Sequence, residues 1–139
     1  MKKKNTLLLF LCLFSLWAVA QENKPVKIAC VGNSITYGSG IKNQFQNSYP
    51  GLLSQLLGEG YDVRNFGISA RVLLNKGDHP YMHEQKFRDL LAFQPDIVTI
   101  KLGTNDSKPW NWRYGKDFKK DLTEMLDILQ ELPSKPKIY

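Results

Sequence analysis

The stretch "KIACVGNSITYGSG", Lys27 to Gly40, decides how the rest of the chain is read. An apolar run, Val26 to Gly32, stops at a glycine, and Ser34 follows two residues later among small and turn-favouring residues. A short β-branched run closed by glycine is the pattern of a buried strand. The serine is therefore presented on a tight turn at the carboxyl end of that strand.

Working outward, strand-like and helix-like segments alternate. In "NSYPGLLSQLLG", Ser48 stands as N-cap, Pro50 falls in the first turn, and Gly58 sits where a C-cap belongs. Leu52, Leu53, Leu56 and Leu57 make one apolar helix face. "YDVRNFG", Tyr61 to Gly67, reads as a second strand. "HEQKFRDLLAFQ" then places Phe87, Leu90 and Leu91 at helical spacing before Pro95. "DIVTIKLG", Asp96 to Gly103, is a third strand, and an apolar stripe through Phe118, Leu122, Met125, Leu126 and Leu129 predicts a helix from about Asp117 to Leu132. The terminal "PKIY" opens a fourth strand. This order predicts an α/β three-layer sandwich around a mostly parallel sheet, in which ligand sites gather at the carboxyl ends of the strands.

At the amino end, Lys2, Lys3 and Lys4 precede an apolar run, Thr6 to Val19, and Ala18-Val19-Ala20 has the small-x-small form of a signal-peptidase site. Residues 1–20 are expected to be a secretory signal peptide cleaved near Ala20, giving a secreted or periplasmic protein with no stable membrane insertion. The domain is then 21–139. Without the three leader lysines, 16 basic side chains face 13 acidic ones, and the net charge falls from +6 to about +3. The remaining basic residues are interleaved with acids, so no nucleic-acid partner is expected. Cys30 is the one cysteine left after processing, which excludes an intrachain disulfide and marks a small core residue. About 120 residues bury a single core.

The groups past the three complete strands are Gly32-Asn33-Ser34, Asn65-Phe66-Gly67 and Gly103-Thr104-Asn105-Asp106. In a parallel sheet they converge on one edge. Acyl transfer needs a serine hydroxyl on a sharp turn and hydrogen-bond donors around an oxyanion. The N–H groups of Ser34 and Gly67 and the Asn105 side-chain amide are candidate donors.

"GNSIT", "NFGIS" and "GTND" together resemble blocks I, II and III of the SGNH (GDSL-like) hydrolase superfamily. That resemblance implies a flavodoxin-like SGNH hydrolase fold, Ser34 as nucleophile, and Gly67 and Asn105 completing the oxyanion hole. It further implies small acyl, above all acetyl, esters as substrates. "KLGTNDSKPWNW" is similar to secreted sialate O-acetylesterase-like or carbohydrate esterase members, so O-acetylated sialic acid or another carbohydrate ester is the expected partner. Asp106 is expected to brace the Asn105 loop. Trp110, Trp112 and Tyr114 are candidates for sugar stacking. Asn33 stands where such members often carry aspartate.

The family's base is a histidine in a D-x-x-H block near the carboxyl end, and the sequence reaches Tyr139 before any such block. The domain is thus expected to be incomplete at the C-terminus and inactive alone. His79 and His83 follow the second strand, with Asp78 beside His79, but a sequence-adjacent pair rarely aims both groups at a distant serine. No metal or organic cofactor is expected. A non-catalytic binding module is the alternative. A nucleotide-binding domain is disfavoured by the lack of a G-x-G-x-x-G or Walker pattern.

Overall fold

A computed structural model describes residues 24–139, so the expected signal peptide lies outside the described residues. Four parallel strands, β1 (Val26–Gly32), β2 (Tyr61–Gly67), β3 (Ile97–Lys101) and β4 (Lys137–Ile138), form one sheet in the order β2-β1-β3-β4. Six helices connect them: α1 (Ser34–Tyr37), α2 (Gln44–Asn47), α3 (Tyr49–Leu57), α4 (Gln85–Phe93), α5 (Pro109–Trp112) and α6 (Phe118–Gln130). The β1 and β2 bounds coincide with the apolar runs in the sequence. β3 ends two residues earlier than its run, because Gly103 turns into a left-handed conformation (φ 110°) and takes the chain out of the sheet.

The strand order fixes the layers. β1 to β2 runs one way across the sheet, while β2 to β3 and β3 to β4 run the other. Right-handed crossovers therefore put α3 on one face and α4 and α6 on the opposite face. Side chains agree: Ala29, Val31, Phe66 and Val98 pack with Phe87, Leu90 and Phe93 of α4 and Met125 and Leu129 of α6. Ile28 and Cys30 point to the α3 side, where Tyr49 Oη lies 3.3 Å from Thr99 Oγ1. Cys30 is a buried free thiol, and burial pushes its pKa up.

The helix α3 has the expected ends but not the expected face. Leu52 and Leu56 are 47% and 83% exposed, whereas Leu53 and Leu57 are half-buried. Tyr49, Leu52 and Leu56 occupy one side of the helix, and of these Tyr49 reaches Thr99 of β3. Among the described residues no second long helix covers that part of the sheet.

Between β2 and α4, Val72, Leu73 and Leu74 are buried without belonging to a regular strand. Tyr81, also fully buried, donates its hydroxyl to the Phe66 carbonyl at 2.6 Å. Leu73 and Tyr81 of this irregular segment join the core on the face under α4 and α6, next to the carboxyl end of β2. Among the described residues no helix is long and apolar enough to cross a membrane.

Candidate active site

The chain direction of the crossovers reverses at β1, so the crevice between β1 and β3 is the topological switch point of the sheet. Gly32 ends β1 in register with Gly67 of β2 and Lys101 of β3. Ser34, half-buried, opens α1 directly above this junction. Asn33 caps the helix by accepting the Ile35 N–H on Oδ1 at 3.1 Å. Among the described residues nothing bonds to Ser34 Oγ or to the Ser34 N–H.

The glycines are dictated by α1. A Cβ on Gly32 would lie 2.1 Å from Thr36 Oγ1, and one on Gly67 would lie 2.3 Å from the Tyr37 nitrogen. At Gly67 the obstruction is backbone, so the bare α-carbon is required for the strand and helix to meet. The amide of Gly67 is already engaged: it donates to Asn65 Oδ1 at 2.8 Å. Asn65 in turn donates from Nδ2 to the Thr36 carbonyl at 2.9 Å, which locks β2 to the end of α1. Gly67 thus positions the junction, and its N–H is not an open donor as the sequence suggested.

Three residues on, Ala70 is exposed and holds φ at 67°, a conformation in which non-glycine residues are uncommon. Among the described residues its N–H has no acceptor. No feature of the sequence singles out this alanine.

The loop after β3 comes to the same edge. Asn105 is buried and donates from Nδ2 to the Arg71 carbonyl at 3.0 Å, leaving its second amide hydrogen unassigned. Asp106 is fully buried, and its Oδ1 accepts the N–H groups of Leu73 and Leu74, both at 2.8 Å. That carboxylate takes the place of a strand partner for the irregular segment and fastens it to the Asn105 loop.

The three aromatics of the next loop separate. Trp110 is half-exposed and donates Nε1 to Asp78 Oδ2 at 3.1 Å. Trp112 leans on Phe118, 6.0 Å between ring centres, and closes over Gly115. The Tyr114 ring carries the Arg113 guanidinium at 4.7 Å. Each thus has a local packing partner, although Trp112 stays about half-exposed.

His79 and His83 are exposed. Asp78 gives its carboxylate to Trp110 and Asn111 instead of to the His79 ring. Partial burial raises its pKa, but the bonds from Trp110 and Asn111, together with the neighbouring His79, outweigh that and hold it below the usual carboxylate range. Asn111, which the sequence did not single out, links Asp78 to the Asn105 carbonyl.

A serine hydroxyl free of hydrogen bonds at the switch point, with unbonded N–H groups at Ser34 and Ala70, defines an α/β protein whose functional groups line the carboxyl edge of a parallel sheet. The chain belongs to the GDSL-like Lipase/Acylhydrolase family, whose profile matches residues 30–139. It is 54% identical over 111 residues to an acetylxylan esterase of Xylanibacter ruminicola, an alignment covering 80% of this chain and 23% of that protein. AlinE4, an SGNH-hydrolase family esterase, superposes with a TM-score of 0.59 at 23% identity over 79% of this chain and 57% of AlinE4. Est24, a carbohydrate acetylesterase from Sinorhizobium meliloti, superposes with a TM-score of 0.63 at 22% identity over 81% of this chain and 61% of Est24. The chain therefore spans about a quarter of the curated relative and under two thirds of either structural neighbour.

Proposed function

We propose that these residues form the nucleophile-bearing part of a carbohydrate acetyl esterase. Ser34 Oγ attacks the ester carbonyl while its proton passes to a histidine base. The tetrahedral oxyanion is held by the N–H groups of Ser34 and Ala70 and by the Asn105 carboxamide. The alcohol leaves with a proton from the same base, and water then releases acetate from Ser34. The observation that supports this most is the Ser34 hydroxyl itself, half-buried and free of any bond at the switch point.

The acetylxylan esterase relative favours acetyl groups on a neutral polysaccharide such as xylan over O-acetylated sialic acid. Trp110 and Trp112, both about half-exposed, are the candidates for sugar contact, and Trp110 is the one whose indole N–H is held in place, by Asp78. The base is assigned to a D-x-x-H block outside residues 1–139, since neither histidine among the described residues is oriented by a carboxylate. Residues 1–20 direct export.

The 139-residue chain is expected to hydrolyse an aryl acetate poorly. A form extended through such a block is expected to turn it over and to lose at least about a thousandfold on Ser34→Ala. Rapid turnover by the short chain would overturn the assignment of the base. An inert extended form that still binds acetylated xylo-oligosaccharide would establish the alternative, a binding module on the same scaffold. N-terminal sequencing of exported protein tests the cleavage near Ala20.

A further inference from the structure

Asn111 is 1% exposed although it stands between two half-exposed tryptophans. Its carboxamide is fully committed. Nδ2 donates to the Asn105 carbonyl at 3.0 Å and to Asp78 Oδ1 at 3.1 Å, and Oδ1 accepts the Asp78 N–H at 3.0 Å. The other carboxylate oxygen of Asp78 accepts Trp110 Nε1. One carboxylate is thus divided between the indole and the amide that holds Asn105. The turn bearing Asp78 is wedged as well: a Cβ at Gly77 would lie 2.5 Å from Val72 Cγ2 and 3.2 Å from Asn111 Oδ1.

We propose that Asp78 and Asn111 are positioning residues that fix Trp110 as the specificity-determining wall for the sugar part of the substrate and join that wall to Asn105. The proposal rests on the carbohydrate-ester reading above. Its chemistry follows from which part of the indole is taken. With Nε1–H held by a carboxylate, Trp110 has no donor left for a ligand oxygen and offers its π surface, with the Lys108 ammonium 5.6 Å over the ring on one side and the other face left for a ligand. That surface suits the C–H face of a pyranose ring. An indole on a four-residue helix would otherwise be free to rotate, and fixing it in advance removes an ordering cost from binding. Trp112 is as exposed as Trp110 but, among the described residues, has no carboxylate on its Nε1 and packs one side on Phe118 and Gly115, and Tyr114 has the Arg113 guanidinium over its ring.

The test uses the full chain labelled with nitrogen-15. The sequence holds three tryptophans, so Trp110→Phe identifies the indole N–H resonance of Trp110. That resonance is expected to be protected from solvent exchange and to lose protection in Asp78→Ala, with Leu56→Ser on the far face as control. Titration with acetylated xylotriose is expected to shift it in the wild type, and Asp78→Ala is expected to weaken binding by about two- to tenfold. Circular dichroism confirms that the variant is folded. An unprotected Trp110 N–H in the wild type, or equal binding by Asp78→Ala, overturns the positioning role and leaves the carbohydrate reading standing. A wild-type Trp110 that ignores the ligand removes the wall. Ser34-dependent acetate release from the same oligosaccharide by the extended form then decides whether the parent reading survives.

Discussion

The two faces of the sheet are built from one set of strands yet finished differently. On the face under α4 and α6, alternate strand residues meet two helices, and Tyr81 and the Val72–Leu74 segment fill the remaining space. On the opposite face α3 is the one long helix among the described residues, and its outer row ends in exposed Leu52 and Leu56. The closed face holds the fold together. The other face carries Cys30, Tyr49 and Thr99, a mixed polar and apolar layer beneath a half-finished cover.

The contrast breaks most easily at Leu129. Leu129→Ala is expected to cost about 2–5 kcal/mol in urea unfolding, because it empties a fully buried site on α6. A loss below about 1 kcal/mol would mean that the closed face is not the main core. Next come the two tyrosines. Tyr81→Phe removes a buried 2.6 Å hydrogen bond to the Phe66 carbonyl and should cost about 0.5–1.5 kcal/mol, whereas Tyr49→Phe should cost less, its hydroxyl meeting Thr99 only at 3.3 Å. Similar losses for both would erase the distinction.

Alkaline pH offers a milder probe. Burial raises the Cys30 thiol above its ordinary 9.0 and the Tyr49 phenol above its ordinary 10.0. Each group stays protonated in the folded chain while the unfolded chain already ionises. Stability is therefore full below about pH 9 and falls as pH rises toward the folded values. Cys30→Ala should flatten the start of that decline, and an unchanged pH profile would separate it from this thiol. The smallest effect belongs to Leu56→Ser, expected to change stability by no more than about 0.5 kcal/mol while lowering binding of a hydrophobic dye.

How much of this was visible in the sequence depends on how local the cause is. The strands were legible because β-branched runs ended at glycines, and α6 because its stripe repeats at helical spacing. The helix α3 was legible in extent but not in exposure, since four leucines predict an apolar face without saying what meets it. The segment from Val72 to Leu74 was assigned to no element. Its burial depends on Asp106, more than thirty residues away, accepting its N–H groups. At the site, Ser34 and Asn105 stood out through short motifs at strand ends. Gly67 was read as an open donor, and its amide partner Asn65 and the turn at Ala70 emerge only in three dimensions. Asn111 was hidden between two tryptophans that drew attention to themselves.

The bonds that cross between loops have a practical consequence. Asn65 grips the end of α1, Asn105 grips Arg71, Asp106 grips Leu73 and Leu74, and Asn111 grips Asn105. Each loop is thus held by a side chain from a neighbouring one. A chimaera that borrows one of these loops from a relative would import half of a fastening and orphan the other half, so the workable unit of exchange is the whole set.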